Sequence, residues 1–134
     1  MRQGQDVPSA LRAWFVVHFI ADVVFALPLF FAPAVVLTWA GWQHVDPIST
    51  RLVAAALFGI GIESLIGRNA NRESFRAMLN LKVIWSAMAT AGIAWSMADG
   101  AHGRPLMGWL ILGVFAAFHV LWLYWRLQLR GSDA

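Results

Sequence analysis

DPISTRLVAAALFGIGIESLIGR, residues 46–68, reads as a helix that crosses a membrane once. Asp46 has the side chain of a helix cap, and Pro47 stands at the first helical position, where its missing N–H costs nothing. From Pro47 to Gly67 the helix is about 31 Å long at 1.5 Å per residue, enough to traverse the hydrocarbon layer. Ala55, Gly59, Glu63 and Gly67 recur every fourth residue and trace one slowly turning stripe. Small residues at that spacing let a second helix approach closely in lipid. A carboxylate in the same stripe is expected to face protein, because lipid cannot solvate it.

The remaining sequence extends this reading. The chain has 134 residues, 60% of them hydrophobic, with eight Trp and nine Phe, which defines an integral membrane domain spanning residues 1–134. It contains no cysteine, so thiol and disulfide chemistry are excluded and the redox compartment is unreadable. The formal net charge is only +3 and the basic residues are dispersed, so no nucleic-acid partner is expected. The first apolar run carries His18 and Asp22, which the core of a cleavable signal would not.

Four spans are expected, at roughly Leu11–Phe31, Pro47–Gly67, Phe75–Ala98 and Leu106–Trp125. Ser9 is read as the cap of the first span, and Pro28 as a kink near its far end. Pro33 begins a short separate segment, PAVVLTWAG, whose Trp39 and Trp42 suit a membrane surface. Asp99-Gly100 closes the third span, and Arg104-Pro105 opens the fourth. The turn RNANRES is tight, which sets the second and third spans antiparallel. Arg2, Arg12, Arg68, Arg72, Arg76, Arg126 and Arg130 fall on one side of the membrane, and only Arg51 and Arg104 on the other. The excess of positive charge marks the cytoplasmic side, so both termini and the middle loop belong there. The expected fold is therefore all-α: an antiparallel four-helix transmembrane bundle with a short interfacial helix between spans one and two.

Each span also holds an ionisable residue: His18 and Asp22, Glu63, Lys82 and His119. Counted from the nearest cytoplasmic arginine, His18, Glu63, Lys82 and His119 lie about 8–11 Å inside the boundary. Asp22 is one turn deeper on the face of His18. Lys82, Ser86, Thr90 and Ala94 form a polar-to-small stripe on the third span, which directs Ser86 inward beside Lys82. An unpaired charge at mid-membrane costs about 2.5–3.5 kcal/mol or more, so these groups should meet inside the bundle. His18, Asp22, Glu63, Lys82, Ser86 and His119 are the candidate ligand- or ion-binding residues. Two carboxylates and one lysine leave a formal excess negative charge, which a proton or a cation would relieve.

Several functions are compatible with such a layer: binding or transport of a proton, a cation or a small polar solute. A structural ion-pair network in an accessory subunit of a larger membrane complex is the alternative. His18, Asp22, Glu63 and His119 are also permissible metal ligands, although Lys82 at the same depth opposes a metal ion. Two histidines at one depth could hold a haem, but the surrounding charges make a poor haem pocket. A membrane enzyme acting on a lipid or quinone headgroup ranks last, because no nucleophile or cofactor motif is present. The partners expected are the lipid bilayer and either further copies of the chain or a partner membrane protein.

The stretch FAPAVVLTWAGWQHVDPISTRLVAAALFGIGIESLIGR, residues 31–68, resembles small bacterial four-helix membrane proteins of unknown function. The shared features are an aromatic-proline segment, a Gly-Trp turn, Asp-Pro, and an Arg-Leu helix ending in arginine. NLKVIW, residues 80–85, is similar to the third span of that class. The resemblance implies a bacterial inner-membrane location and a shared pattern including Asp46, Pro47, Arg51, Glu63 and Lys82. It implies no activity.

Overall fold

The computed structural model describes residues 6–131, which are helical apart from short connections, with no strand among them. The helices are α1 (Ser9–Phe31), α2 (Pro33–Trp39), α3 (Pro47–Ile66), α4 (Arg72–Asp99) and α5 (Leu106–Gly131), with a 3-10 turn at Gly67–Asn69 after α3. Four of them are long and apolar enough to cross a membrane. Their outer faces expose large apolar side chains such as Val24, Phe31, Ile84 and Trp95, which suits contact with lipid rather than water.

Local chemistry accounts for the helix ends. Ser9 lies inside the first turn of α1 rather than capping it; the preceding Pro8 supplies no side-chain cap, and its carbonyl accepts from the N–H groups of Leu11 and Arg12. The helix continues through Pro28 and breaks at Ala32, where Pro33 can start α2 because a first helical residue needs no donor. Asp46 caps α3 as the sequence suggests, accepting from the Ile48 N–H at 2.9 Å and the Ser49 hydroxyl at 2.5 Å. The Ser49 hydroxyl first, and the Ile48 N–H second, hold its carboxyl below the ordinary carboxylate value. Helix α4 starts three residues before the expected Phe75, because Asn71 accepts from the Ser74 N–H at 2.9 Å and so supplies the cap. Gly100 ends α4 in the left-handed region at φ 70°, where glycine has no Cβ penalty. Helix α5 extends past Trp125 to Gly131, and Arg72 and Arg76 of α4 donate to the Leu129 carbonyl near its end.

The helices associate as two close pairs. Helix α1 packs on α3, and α4 packs on α5. In the first pair Gly61 permits the approach: a Cβ there would lie 2.7 Å from the Cβ of Asp22. The buried face of α3 is Ala54, Leu57, Gly61 and Ser64. The stripe expected to pack is instead rotated outward: Ala55, Gly59 and Glu63 are exposed, and only Gly67 is buried. Both faces of α3 carry small residues, and the Asp22 contact with Gly61 settles which one turns inward.

Bulky side chains join the two pairs. Phe15 of α1 meets Phe75 of α4 with ring centroids 4.5 Å apart and Trp122 of α5 at 5.8 Å. Val7, Leu11, Leu79 and Leu129 complete this apolar cluster. A second cluster forms around Ala26, Ala54 and Leu57, flanked by Phe58, Trp85 and Phe115. In sequence position the buried polar residues fall between these two clusters.

Candidate functional site

The polar layer assembles from three helices. Helix α1 contributes His18 and Asp22, one turn apart on its buried face; α3 contributes Ser64, and α4 contributes Lys82. All four are buried, with Lys82 only 2% exposed. The lysine Nζ donates to the Ser64 hydroxyl at 2.6 Å and lies 3.0 Å from the His18 Nδ1. Ser64 in turn donates to the Ile60 carbonyl at 2.6 Å, a bond within its own helix. Two rings cover the ammonium, with Phe15 and Trp122 centroids 4.8 and 5.0 Å from Nζ. Such contacts are worth about 2 kcal/mol when the cation is desolvated.

His18 is the pivot of the cluster. Its Nδ1 lies 3.0 Å from the Lys82 Nζ and 3.1 Å from the Asp22 Oδ2. One ring nitrogen cannot accept from an ammonium and donate to a carboxylate at once. The Nδ1–Oδ2 approach is a close contact rather than an aligned hydrogen bond, since the buried Oδ2 meets no aligned donor among the described residues. With Nδ1 accepting from Lys82, the imidazole carries its proton on Nε2. The ring is held edge-on against Phe118 and Trp122, at 4.9 and 5.0 Å, which limits its movement to small rotations.

Ser86 and His119 form a separate dyad. The Ser86 hydroxyl, one turn along α4 from Lys82, lies 3.0 Å from the His119 Nδ1 and 3.2 Å from the Val83 carbonyl. Thr90, a further turn along, keeps a buried hydroxyl without a partner among the described residues. Glu63 takes no part in either group. It stands on the exposed face of α3 with its Oε1 alongside Gly67, one turn toward the arginine-rich end. The long side chain reaches toward that end of the helix instead of turning inward. His18, Asp22, Glu63 and His119 do not converge as a ligand set, and no group of three or more possible metal ligands occurs among the described residues.

Ser64 was not expected at the centre. Its signal was the spacing Ala54, Leu57, Gly61, Ser64, which alternates three and four residues and marks a packing face as clearly as the glycine stripe does. A larger depression of about 320 Å³ lies at the opposite end of α5, lined by Trp39, Gly41, Pro105, Leu106 and Leu110. It holds no ionisable side chain and lies away from the cluster. No protein-family model matches the chain, and neither curated proteins nor solved structures give a match.

Proposed function

We propose that the His18–Asp22–Lys82–Ser64 cluster is a proton-exchange centre within an antiparallel four-span bundle of a bacterial inner membrane. The observation that carries this reading is the position of His18 Nδ1 between an ammonium and a carboxylate, at 3.0 and 3.1 Å. Lys82 can transfer a proton from Nζ to Nδ1. The products are a neutral amine and an imidazolium whose Nδ1–H faces Asp22. The proton then occupies one of two positions in a dry site, and a small ring rotation separates them. A resident metal ion fits this site poorly, because the Lys82 ammonium already lies within the cluster and repels a second cation.

The antiparallel reading is supported by paired contacts that run in opposite order. Arg12 meets the Arg68 carbonyl, Asp22 meets Gly61, and Arg51 meets the Phe30 carbonyl. Along α4 and α5, Arg76 meets Leu129, Ser86 meets His119, and Met97 meets Gly108. The arginine bias supports cytoplasmic termini, and the resemblance of residues 31–68 supports a bacterial inner membrane. The outward stripe of Ala55, Gly59 and Glu63, open around Gly59, supports association with another copy or with a partner membrane protein.

An accessory subunit with a purely structural cluster is the second reading. It is favoured by the full engagement of Lys82, which touches Ser64, His18 and two rings. The readings separate in a fluorescence titration of the protein in lipid nanodiscs. Trp122 contacts both His18 and Lys82, and Trp122→Phe supplies the background from the other tryptophans. A proton-exchange centre gives a reversible pH-dependent step in the Trp122 signal, absent in His18→Phe and unaffected by exchanging sodium for potassium, magnesium or calcium. A flat Trp122 signal assigns the cluster to structure.

A further inference from the structure

The cluster is enclosed on most sides, which raises the question of how a proton reaches it. A narrow cleft of about 10 Å³, the space of one water, lies between α3 and α4. Its lining is Ile60, Glu63, Ser64, Met78, Leu81 and Lys82. Glu63 and Leu81 are exposed, whereas Ser64 and Lys82 are buried, so the cleft leads from the outer face of the bundle to the Lys82–Ser64 bond. Glu63 is the one carboxylate on this path. Its Oε1 reaches toward Gly67 and the end of α3, where Arg68 donates to the Leu65 carbonyl.

We propose that Glu63 is the proton-uptake residue of the buried cluster, passing protons from the membrane interface through the α3–α4 cleft to Lys82. This rests on the proton-exchange reading above. The step follows transfer from Lys82 to His18, which leaves a free electron pair on Nζ. The Glu63 carboxyl gives its proton to one water in the cleft, and that water gives a proton to Nζ. Glu63 becomes a carboxylate, Lys82 returns to its ammonium form, and the water is regenerated. The carboxylate is recharged from interfacial water at the mouth.

The groups around this path are few. On α3, Ser64 accepts from Lys82, and Arg68 lies in the 3-10 turn that follows. On α1, His18 and Asp22 stand behind Lys82, and His119 on α5 is held by Ser86. No other carboxylate lines the cleft. The Glu63 side chain has no hydrogen-bonding or ionic partner among the described residues, so its replacement breaks no hydrogen bond or ion pair.

The test is a stopped-flow pH jump on the protein in nanodiscs, read through Trp122 with Trp122→Phe as background. The amplitude reports protonation of the cluster and the rate reports access to it. Glu63→Gln should keep the amplitude and slow the rate by roughly a hundredfold, the lower end of what a positioned proton donor contributes. Glu63→Asp, which restores a carboxyl group, should return the rate toward wild type, as should acetate added to Glu63→Gln. An unchanged rate in Glu63→Gln overturns the uptake route while leaving the exchange centre in place. Loss of amplitude in Glu63→Gln also overturns it, because Glu63 would then belong to the equilibrium of the cluster. Absence of any wild-type amplitude overturns both proposals.

Discussion

Replacing Lys82 by Met removes the ammonium while keeping a side chain of similar length, and the geometry defines what is lost. The hydrogen bond to Ser64 at 2.6 Å, the contact with His18 at 3.0 Å and the two ring contacts all disappear. Asp22 stays buried beside a neutral imidazole, with no ammonium left in the cluster. Removing one member of a buried charge pair costs about 3–5 kcal/mol. Asp22→Leu alone leaves the ammonium without a counter-ion and should cost a similar amount. The double variant leaves neither charge stranded, so its cost should fall below the sum of the single variants by about 2 kcal/mol. A hydrogen bond between membrane helices without net charge averages about 0.6 kcal/mol, so the predicted coupling exceeds what polar packing supplies. The assay is reversible unfolding in mixed micelles, with all four proteins measured under one set of conditions. Costs that add within about 0.5 kcal/mol would refute the idea that Lys82 and Asp22 act as one charge system.

Three further outcomes follow from local geometry. Gly61→Ala forces a Cβ to within 2.7 Å of the Asp22 Cβ and should cost about 1–3 kcal/mol from overpacking, seen as a lower midpoint in the same unfolding assay. Gly59→Ala, where nothing lies within 4 Å, should be neutral or slightly stabilising; equal costs at the two sites would contradict the inward face assigned to α3. The pKa of Asp46 is lowered on folding by the Ser49 hydroxyl and the Ile48 N–H, so its ionised form stabilises the folded state. That contribution is fully present above the ordinary value of 3.8 and is lost as pH falls through the depressed folded value. In a stability titration run down from neutral pH, Asp46→Asn should therefore flatten the part of the acid limb between 3.8 and the depressed folded value. An unchanged limb would show that the cap does not couple to acid stability.

Most of the fold was legible because its boundaries are written in cap chemistry. Asp46-Pro47 and Asp99-Gly100 mark ends that the structure keeps, and the apolar runs between them become the four long helices. Asn71 and the Leu129 carbonyl lengthened two helices beyond their apolar stretches, since a polar cap or a donor from a neighbouring helix can stabilise turns that hydropathy does not mark. The face of α3 was harder to read. Ala54 and Ala55, and likewise Gly59 and Gly61, offer two small faces about a residue apart, and helical periodicity alone cannot rank them. The rule that a carboxylate must point inward favoured the wrong one. Glu63 sits close enough to the end of α3 for its side chain to reach toward Gly67, so burial was not its only option. The choice came from long-range contacts, Asp22 on Gly61 and Lys82 on Ser64, which link residues far apart in the chain.

The most direct measurement is nitrogen NMR of the protein in nanodiscs with labelled histidine and lysine, assigning His18 through His18→Phe and following it as the pH is lowered from the alkaline side. The account predicts an unprotonated Nδ1 hydrogen-bonded to the Lys82 Nζ at the upper end. As pH falls, Nδ1 should gain a proton, and its coupling should pass from Lys82 to Asp22, with the change abolished in Asp22→Asn. A His18 Nδ1 that keeps one protonation state and one partner throughout would contradict exchange at this site and leave the cluster a structural tie between the helices.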